Sequence, residues 1–333
     1  MKAYVVDRYE RDRALRLGEM PEPEAGGHDV LIDIHAASLN PLDAKIRDGE
    51  FKRLLPYRLP LILGNDVAGV VLRVGSEVRG FKPGDEVYAR PRQDRIGTWA
   101  ERIAVHESDV ALKPMNLTME EAASIPLVGL TAWQALIERA RLKKGQRVLI
   151  HAGSGGVGTF AIQLAKHLGA TVATTTSTDN VEWVKSLGAD VVVDYKKTDF
   201  TKVLTGYDVA LNSLGKDTLE KSLLVLKPGG KLISLSGPPD PTFARESGSN
   251  VFIRQVMRLL SFGIRKKARR RGIGYAFLFM RANGAQLGRI TALVESGVVR
   301  PVIDRIFPFL ATNEAMDYLA KGRAKGKVVI TMK

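Results

Sequence analysis

The chain contains no cysteine. Disulfides are therefore excluded, and so is every zinc site that depends on thiolates. Histidine is sparse: His28, His35, His106, His151 and His167 show no ligand spacing. Long apolar runs are also missing. The longest candidate, residues 125–137, is interrupted by Gly129, Thr131 and Gln134 and falls short of the ~20 residues that span a bilayer. Residues 1–7 read as a strand and lack the apolar core of a secretory signal, so a cytoplasmic protein is expected. Acid is absent from one stretch in particular. From Arg254 to Arg271 there are eight basic residues and no Asp or Glu; without them the formal charge falls from +14 to +6. No nucleic-acid motif or aromatic interleaving accompanies these charges. The segment is read as a solvated helix rather than a nucleic-acid or membrane contact.

What remains is an ordinary globular composition: 333 residues, 45% hydrophobic and 26% charged, enough for two domains. Residues 1–121 read as β-rich, with strands at 3–6, 29–36, 67–74, 86–89 and 99–105 separated by Gly and Pro turns and no regular helices between them. A partly open barrel fits this pattern. Thr118 with Glu121 three residues on is a capping box, and helical pieces follow at 120–124 and 131–140. From there strand and helix alternate through residue 236, which predicts a doubly wound parallel α/β sheet. Tyr275–Met280 reads as one more strand, and strand character returns at 302–307 and 327–332. The tail is expected to rejoin the first module, giving 1–121 plus 283–333 as one domain and 122–282 as the other.

The most informative stretch is Val148–Phe160. A short apolar strand feeds a turn in which Gly153, Gly155 and Gly158 stand at G-x-G-x-x-G spacing, and an amphipathic helix follows. Gly153 suits a tight turn. Gly155 lets a pyrophosphate approach the backbone. Gly158 lets the helix pack closely. The first helical N–H groups, with the helix dipole, favour phosphate. Ser154, Gly156 and Val157 belong to the same cradle. After the second strand, Thr176 and Ser177 stand where an NAD enzyme presents Asp or Glu to the ribose. Small hydroxyls leave room for a 2′-phosphate, so NADPH (NADP+) is the expected cofactor.

Ser38–Asp43, Gly64–Val71, Gly80–Val87, Gly129–Ala132, Ala152–Gly158, Ser186–Asp190 with Asp194-Tyr195, Pro228–Lys231 and Gly326–Val329 fall in one order along the chain. In that order they resemble the medium-chain dehydrogenase/reductase superfamily, in its zinc-free quinone oxidoreductase and alkenal-enone reductase branch. The resemblance implies a Rossmann domain and a GroES-like catalytic domain. It also implies hydride transfer from NADPH to quinones or α,β-unsaturated carbonyls such as enones and 2-alkenals, and a homodimer. Where zinc-dependent relatives carry Cys and Gly-His-Glu ligands, this chain has Asn40 and Gly64-Asn65-Asp66. Asn is a poor zinc ligand, so no metal is expected. Asn40 is the first candidate to donate a hydrogen bond to the developing oxyanion, Lys45 the second as electrostatic partner or proton donor, and Asp43 a group that fixes one of them. Thr131, Asn212 and Ser236 are implied at the nicotinamide end, Tyr195 beside the 2′-phosphate pocket and Lys327 as a further cofactor contact. An alternative reading is a non-catalytic NADP-binding protein that touches RNA or a membrane surface through the basic segment.

Overall fold

A computed structural model describes residues 1–52, 55–246, 248 and 250–332. The chain divides into two compact units, Met1–Leu130 with Arg281–Lys333, and Thr131–Met280.

The first unit is organised on the strand Asp29–Leu39. Val30, Ile32 and Ile34 are buried while Leu31, Asp33 and His35 are partly open, the two-residue period of a strand with one face on a core. One edge pairs antiparallel with Asp66–Val74. The other pairs with Arg102–His106 and then with the last strand, Lys327–Thr331. The tail thus joins the first module through the pair Val328 and Leu39. Glu86–Ala89, Val110–Leu112 and Ile303–Pro308 complete a seven-stranded sheet. A smaller sheet sets Lys2–Val6 between Arg16–Glu19 and Leu61–Ile62. Trp99, Ile32, Leu63, Val328 and Ile330 lie in the core of this unit. Three strands, Arg16–Glu19, Leu61–Ile62 and Val110–Leu112, have no counterpart in the sequence reading. At two to four residues they are too short to display a period.

The helix Pro41–Arg47 forms where the sequence suggested only a turn. Proline is pre-set for a first helical turn, and the Asp43 carboxylate reaches back to accept from the Asn40 N–H at 2.7 Å. The capping box at Thr118 and Glu121 is present with both of its hydrogen bonds, and opens Met119–Ala123. The next helix starts at Pro126 rather than Thr131, runs to Trp133, and continues as a π-helix over Gln134–Arg139.

The second unit is a six-stranded, wholly parallel sheet. Its order is Val191–Asp194, Thr171–Thr176, Arg147–Ile150, Tyr207–Asn212, Leu226–Ser234, Gly274–Phe277. Numbered within the unit this is 3-2-1-4-5-6, the doubly wound order. The order reverses between Arg147–Ile150 and Tyr207–Asn212, so the carboxyl ends of those two strands flank the crevice where such sheets bind ligands. Both strands read as apolar runs because both of their faces are covered. The strand expected at 231–236 ends at Ser234, which leaves Ser236 two residues beyond it. Gly274–Phe277 and Val191–Asp194 are the two edge strands. Among the described residues, no helix is long and apolar enough to cross a membrane.

Candidate active site

The glycine turn follows the strand Arg147–Ile150 and opens the helix Gly156–His167. Its three glycines have different neighbours. A Cβ on Gly153 would lie 2.2 Å from Thr174 Oγ1, and one on Gly158 would lie 2.2 Å from the Ala152 carbonyl oxygen. Both are therefore required by the protein's own packing. A Cβ on Gly155 would meet only the Ala152 carbonyl oxygen, at an ordinary 3.4 Å. Nothing inside the protein demands glycine there, and its bare backbone faces open space. Ala152 takes φ +54°, a conformation that costs a non-glycine residue energy and must be held by its surroundings. Thr175 holds it: its Oγ1 accepts from the Ala152 N–H and its carbonyl accepts from Gly153 N–H at 3.0 Å. His151, at the end of the strand, lies between Thr175 Oγ1 at 3.1 Å and Ser222 Oγ at 2.9 Å. Burial pulls its pKa down to about 4, so the ring is neutral and ties the turn to the neighbouring strand and helix.

The second strand brings its hydroxyls to this turn. Thr176 Oγ1 donates to Ser154 Oγ at 3.1 Å, and Ser177 follows, partly open. Thr176 is in register with Asp194 on the next strand, and Thr178 Oγ1 donates to the Asp194 carboxylate at 2.7 Å. That hydrogen bond, with help from the Lys196 N–H and the nearby lysines, holds the Asp194 pKa below its ordinary range. Tyr195 is exposed beside it, followed by Lys196 and Lys197. The two lysines were not singled out from the sequence. They are nearly twenty residues from Thr178, and only the strand register places them next to it. Asn212 is buried at the end of its strand and donates to the Leu214 carbonyl at 2.9 Å. Ser236 donates to the same carbonyl, so the two meet at one point. Thr131 is buried in the helix Pro126–Trp133.

In the first unit a buried polar cluster forms around Asp66, at the start of the strand Asp66–Val74. Its Oδ2 accepts from Ser38 Oγ at 2.7 Å, Asn40 Nδ2 at 2.8 Å and Lys327 Nζ at 3.2 Å, and its Oδ1 accepts from the Leu127 N–H at 2.6 Å. Lys327 also donates to Asn40 Oδ1 at 2.5 Å and to the Leu39 carbonyl at 3.0 Å. Three protein oxygens thus engage all three ammonium hydrogens, leaving no N–H for a phosphate. The Asn40 amide has one orientation: its oxygen must face the ammonium and its NH₂ the carboxylate. Asp43 receives the Asn40 N–H on one oxygen and Asn65 Nδ2 on the other at 2.7 Å. Burial, followed by the repulsion of Asp66, outweighs those hydrogen bonds and raises its pKa to about 7. Arg90 donates to Asn65 Oδ1 at 3.2 Å; its Nε and Nη1 have no hydrogen-bond partner among the described residues. Arg90 also went unrecognised in the sequence, because an arginine after a strand gives no sign that it points inward. Lys45 is exposed on the helix Pro41–Arg47.

Two family models match this chain: the alcohol dehydrogenase GroES-like domain over residues 26–115 and the zinc-binding dehydrogenase over residues 187–330. The chain is 40% identical over 341 residues to the 2-methylene-furan-3-one reductase of Solanum lycopersicum, covering 99% of this chain and 79% of that protein. It is 38% identical to the chloroplastic NADPH-dependent alkenal/one oxidoreductase of Arabidopsis thaliana, with the same coverage. The solved quinone oxidoreductase from Coxiella burnetii superposes with a TM-score of 0.88 at 33% identity, covering 100% of this chain and 99% of that one. The chain belongs to the medium-chain dehydrogenase/reductase superfamily, in its quinone and enone reductase branch.

A medium-chain reductase needs a nicotinamide dinucleotide, and the glycine turn fits one: Gly155 keeps the space a Cβ would fill, at the start of a helix whose N–H groups face it. Zinc, which the name of the second matching model carries, does not fit. Among the described residues no three His, Cys, Asp or Glu side chains gather as ligands would. Asn40 and Asp66 instead hold the Lys327 ammonium, a cation already built into the fold.

Proposed function

We propose that this medium-chain reductase uses NADPH to reduce quinones or α,β-unsaturated carbonyls without a metal. The observation that carries the reading is the Lys327 ammonium between Asn40 and Asp66. It supplies fixed positive charge where an alcohol dehydrogenase would need a Lewis acid to stabilise an alkoxide. Reduction of an activated double bond has no such need, because charge develops on an oxygen that hydrogen-bond donors can meet.

Bound at the glycine turn, NADPH supplies the hydride. The backbone N–H groups of Ser154, Gly156, Val157 and Gly158 receive the pyrophosphate, while Gly153 and Gly155, whose N–H groups bond to the Thr175 and Ala152 carbonyls, shape the turn beneath it. Thr176, Ser177 and Tyr195 receive the 2′-phosphate, with Lys196 and Lys197 adding positive charge. Thr131, Asn212 and Ser236 border the nicotinamide. Asn40 Nδ2 gives one hydrogen to Asp66, and its second is the donor to the acceptor's oxygen. Lys327 polarises that amide, Asp43 holds Asn40 and Asn65 in place, and the exposed Lys45 is the candidate proton donor. The edge strand Gly274–Phe277 is the surface by which two copies would pair.

The test is a steady-state screen of quinones, enones and 2-alkenals with NADPH and NADH, before and after treatment with a chelator. Turnover with NADPH that survives chelation is expected. Silence across the panel, or activity lost with the metal, overturns the proposal.

A further inference from the structure

The basic segment folds as two consecutive helices, Val251–Leu260 and Phe262–Arg270. A solvated helix of the usual kind turns its apolar stripe inward. Here only Met257, Ile264 and Ala268 do so. Phe252, Val256, Leu259 and Leu260, at i, i+4, i+7 and i+8, form a stripe that stays in solvent, with Phe252 76% and Leu259 75% exposed. Val251 and Phe262 extend it at either end. Six large apolar side chains exposed within twelve residues call for a covering surface.

The charges beside this stripe limit what that surface is. Arg254, Arg258 and Arg265, with Arg245 of the preceding helix, line a hollow of about 350 Å³ together with Pro241 and Gln255. No acidic residue lines it. Lys266, Lys267, Arg269, Arg270 and Arg271 continue the positive field, in which Lys267 pairs with Glu220. Guanidinium groups around a concave wall are suited to bidentate binding of phosphate. A second copy laid patch on patch would set eight cations against eight, which disfavours that occupant. An apolar stripe next to phosphate-binding arginines matches the two layers of a bilayer surface, acyl chains and anionic headgroups.

We infer that residues 251–271 dock this protein on an anionic phospholipid surface, with Phe252, Val256, Leu259 and Leu260 at the acyl boundary and the arginine hollow on headgroup phosphates. The helices are too short to span a bilayer and lie on it. The inference does not depend on which acceptor the enzyme reduces, or on its reducing any.

The experiment is co-sedimentation of the full chain with two sets of vesicles, phosphatidylcholine alone and phosphatidylcholine mixed with phosphatidylglycerol. The protein is expected to pellet with the anionic vesicles at low salt, to be released by high salt, and to stay in the supernatant with the neutral ones. Arg258→Glu/Arg265→Glu and Phe252→Ser/Leu259→Ser should each lower the partition by at least about tenfold. NADPH binding in solution, read by nucleotide fluorescence, should be unchanged in both. Equal binding to both vesicle types, or none to either, overturns the inference. So does full binding by the Phe252/Leu259 variant, which would mean that charge alone adsorbs the protein and the apolar stripe does not reach the acyl boundary. If vesicles leave the wild type behind and the apolar substitutions instead turn a dimer into a monomer on sedimentation, the covering surface is a second copy and the inference fails.

Discussion

Lys327 Nζ lies 2.5 Å from Asn40 Oδ1, across 287 positions of sequence. The contact exists because the last strand pairs antiparallel with Asp29–Leu39, Val328 opposite Leu39. It fixes the asparagine amide and places a positive charge beside two buried carboxylates. Replacing Lys327 with Met leaves Asp66 buried without its cation and frees the amide to rotate. Breaking a buried pair from one side costs about 3–5 kcal/mol. The urea midpoint of Lys327→Met should therefore drop at constant m. In the surviving folded protein kcat should fall, while the Kd for NADPH, measured on the other unit, stays close to wild type.

The glycine turn makes a sharper demand, because its three glycines should fail differently. Gly158→Ala sets a Cβ 2.2 Å from the Ala152 carbonyl oxygen, where backbone must move, so a loss of roughly 2 kcal/mol or more of stability is expected. Gly155→Ala meets only ordinary contact, and stability should change by less than about 0.5 kcal/mol. Its cost should appear in binding, as a Kd for NADPH raised by about tenfold or more, if a pyrophosphate occupies that space. Thermal melting and nucleotide fluorescence on the two variants separate packing from recognition. A Gly155→Ala protein that binds NADPH normally would remove this turn from the cofactor site.

These two cases mark what could be read from the sequence. The glycine turn is local: strand, turn and helix run without a break from Arg147 to His167, and the steric reasons for Gly153 and Gly158 hold in any doubly wound unit. The parallel sheet and its edge strand were legible for a similar reason, since buried apolar runs alternate with helical periods. The polar cluster was legible only in outline. Asn40, Asp43, Asn65 and Asp66 come from two short motifs, but Lys327 and Arg90 reach them through strand pairing, which leaves no local mark. Lys196 and Lys197 were hidden in the same way behind the register of Thr176 with Asp194. The basic segment showed its charge and its helical character, but not that an apolar stripe beside the charges would remain uncovered.

Cofactor choice can be moved by one carboxylate. Ser177 follows the strand whose Thr176 touches Ser154, and Asp194, in register with Thr176, is held by Thr178. Ser177→Asp introduces a charge that repels a 2′-phosphate and accepts from the ribose hydroxyls of NADH. The ratio of kcat/KM for NADPH over NADH should fall by about tenfold or more. An unchanged ratio would place the 2′-phosphate away from this strand end.

Asp43 and His151 should pull the pH dependence of stability in opposite directions. Burial raises the Asp43 pKa from 3.8 to about 7, so the folded state holds a proton that the unfolded state has lost. Between about pH 4 and 7 this makes stability fall as pH rises. Burial lowers the His151 pKa from 6.5 to about 4, so here the unfolded state holds the extra proton. Between about pH 4 and 6.5 that term makes stability rise with pH. The two oppose each other up to about pH 6.5, above which only the Asp43 term continues. Asp43→Asn should leave a stability that climbs more steeply with pH than wild type across pH 4.5 to 6.5, and His151→Gln one that climbs less or falls. The slope carries the test, because both substitutions also alter hydrogen bonds and so shift the whole curve. Urea titrations at several pH values read it directly. Parallel curves for wild type and Asp43→Asn would mean that Asp43 is ionised throughout this range, and that its contacts with Asn40 and Asn65 stabilise the charge more than burial opposes it.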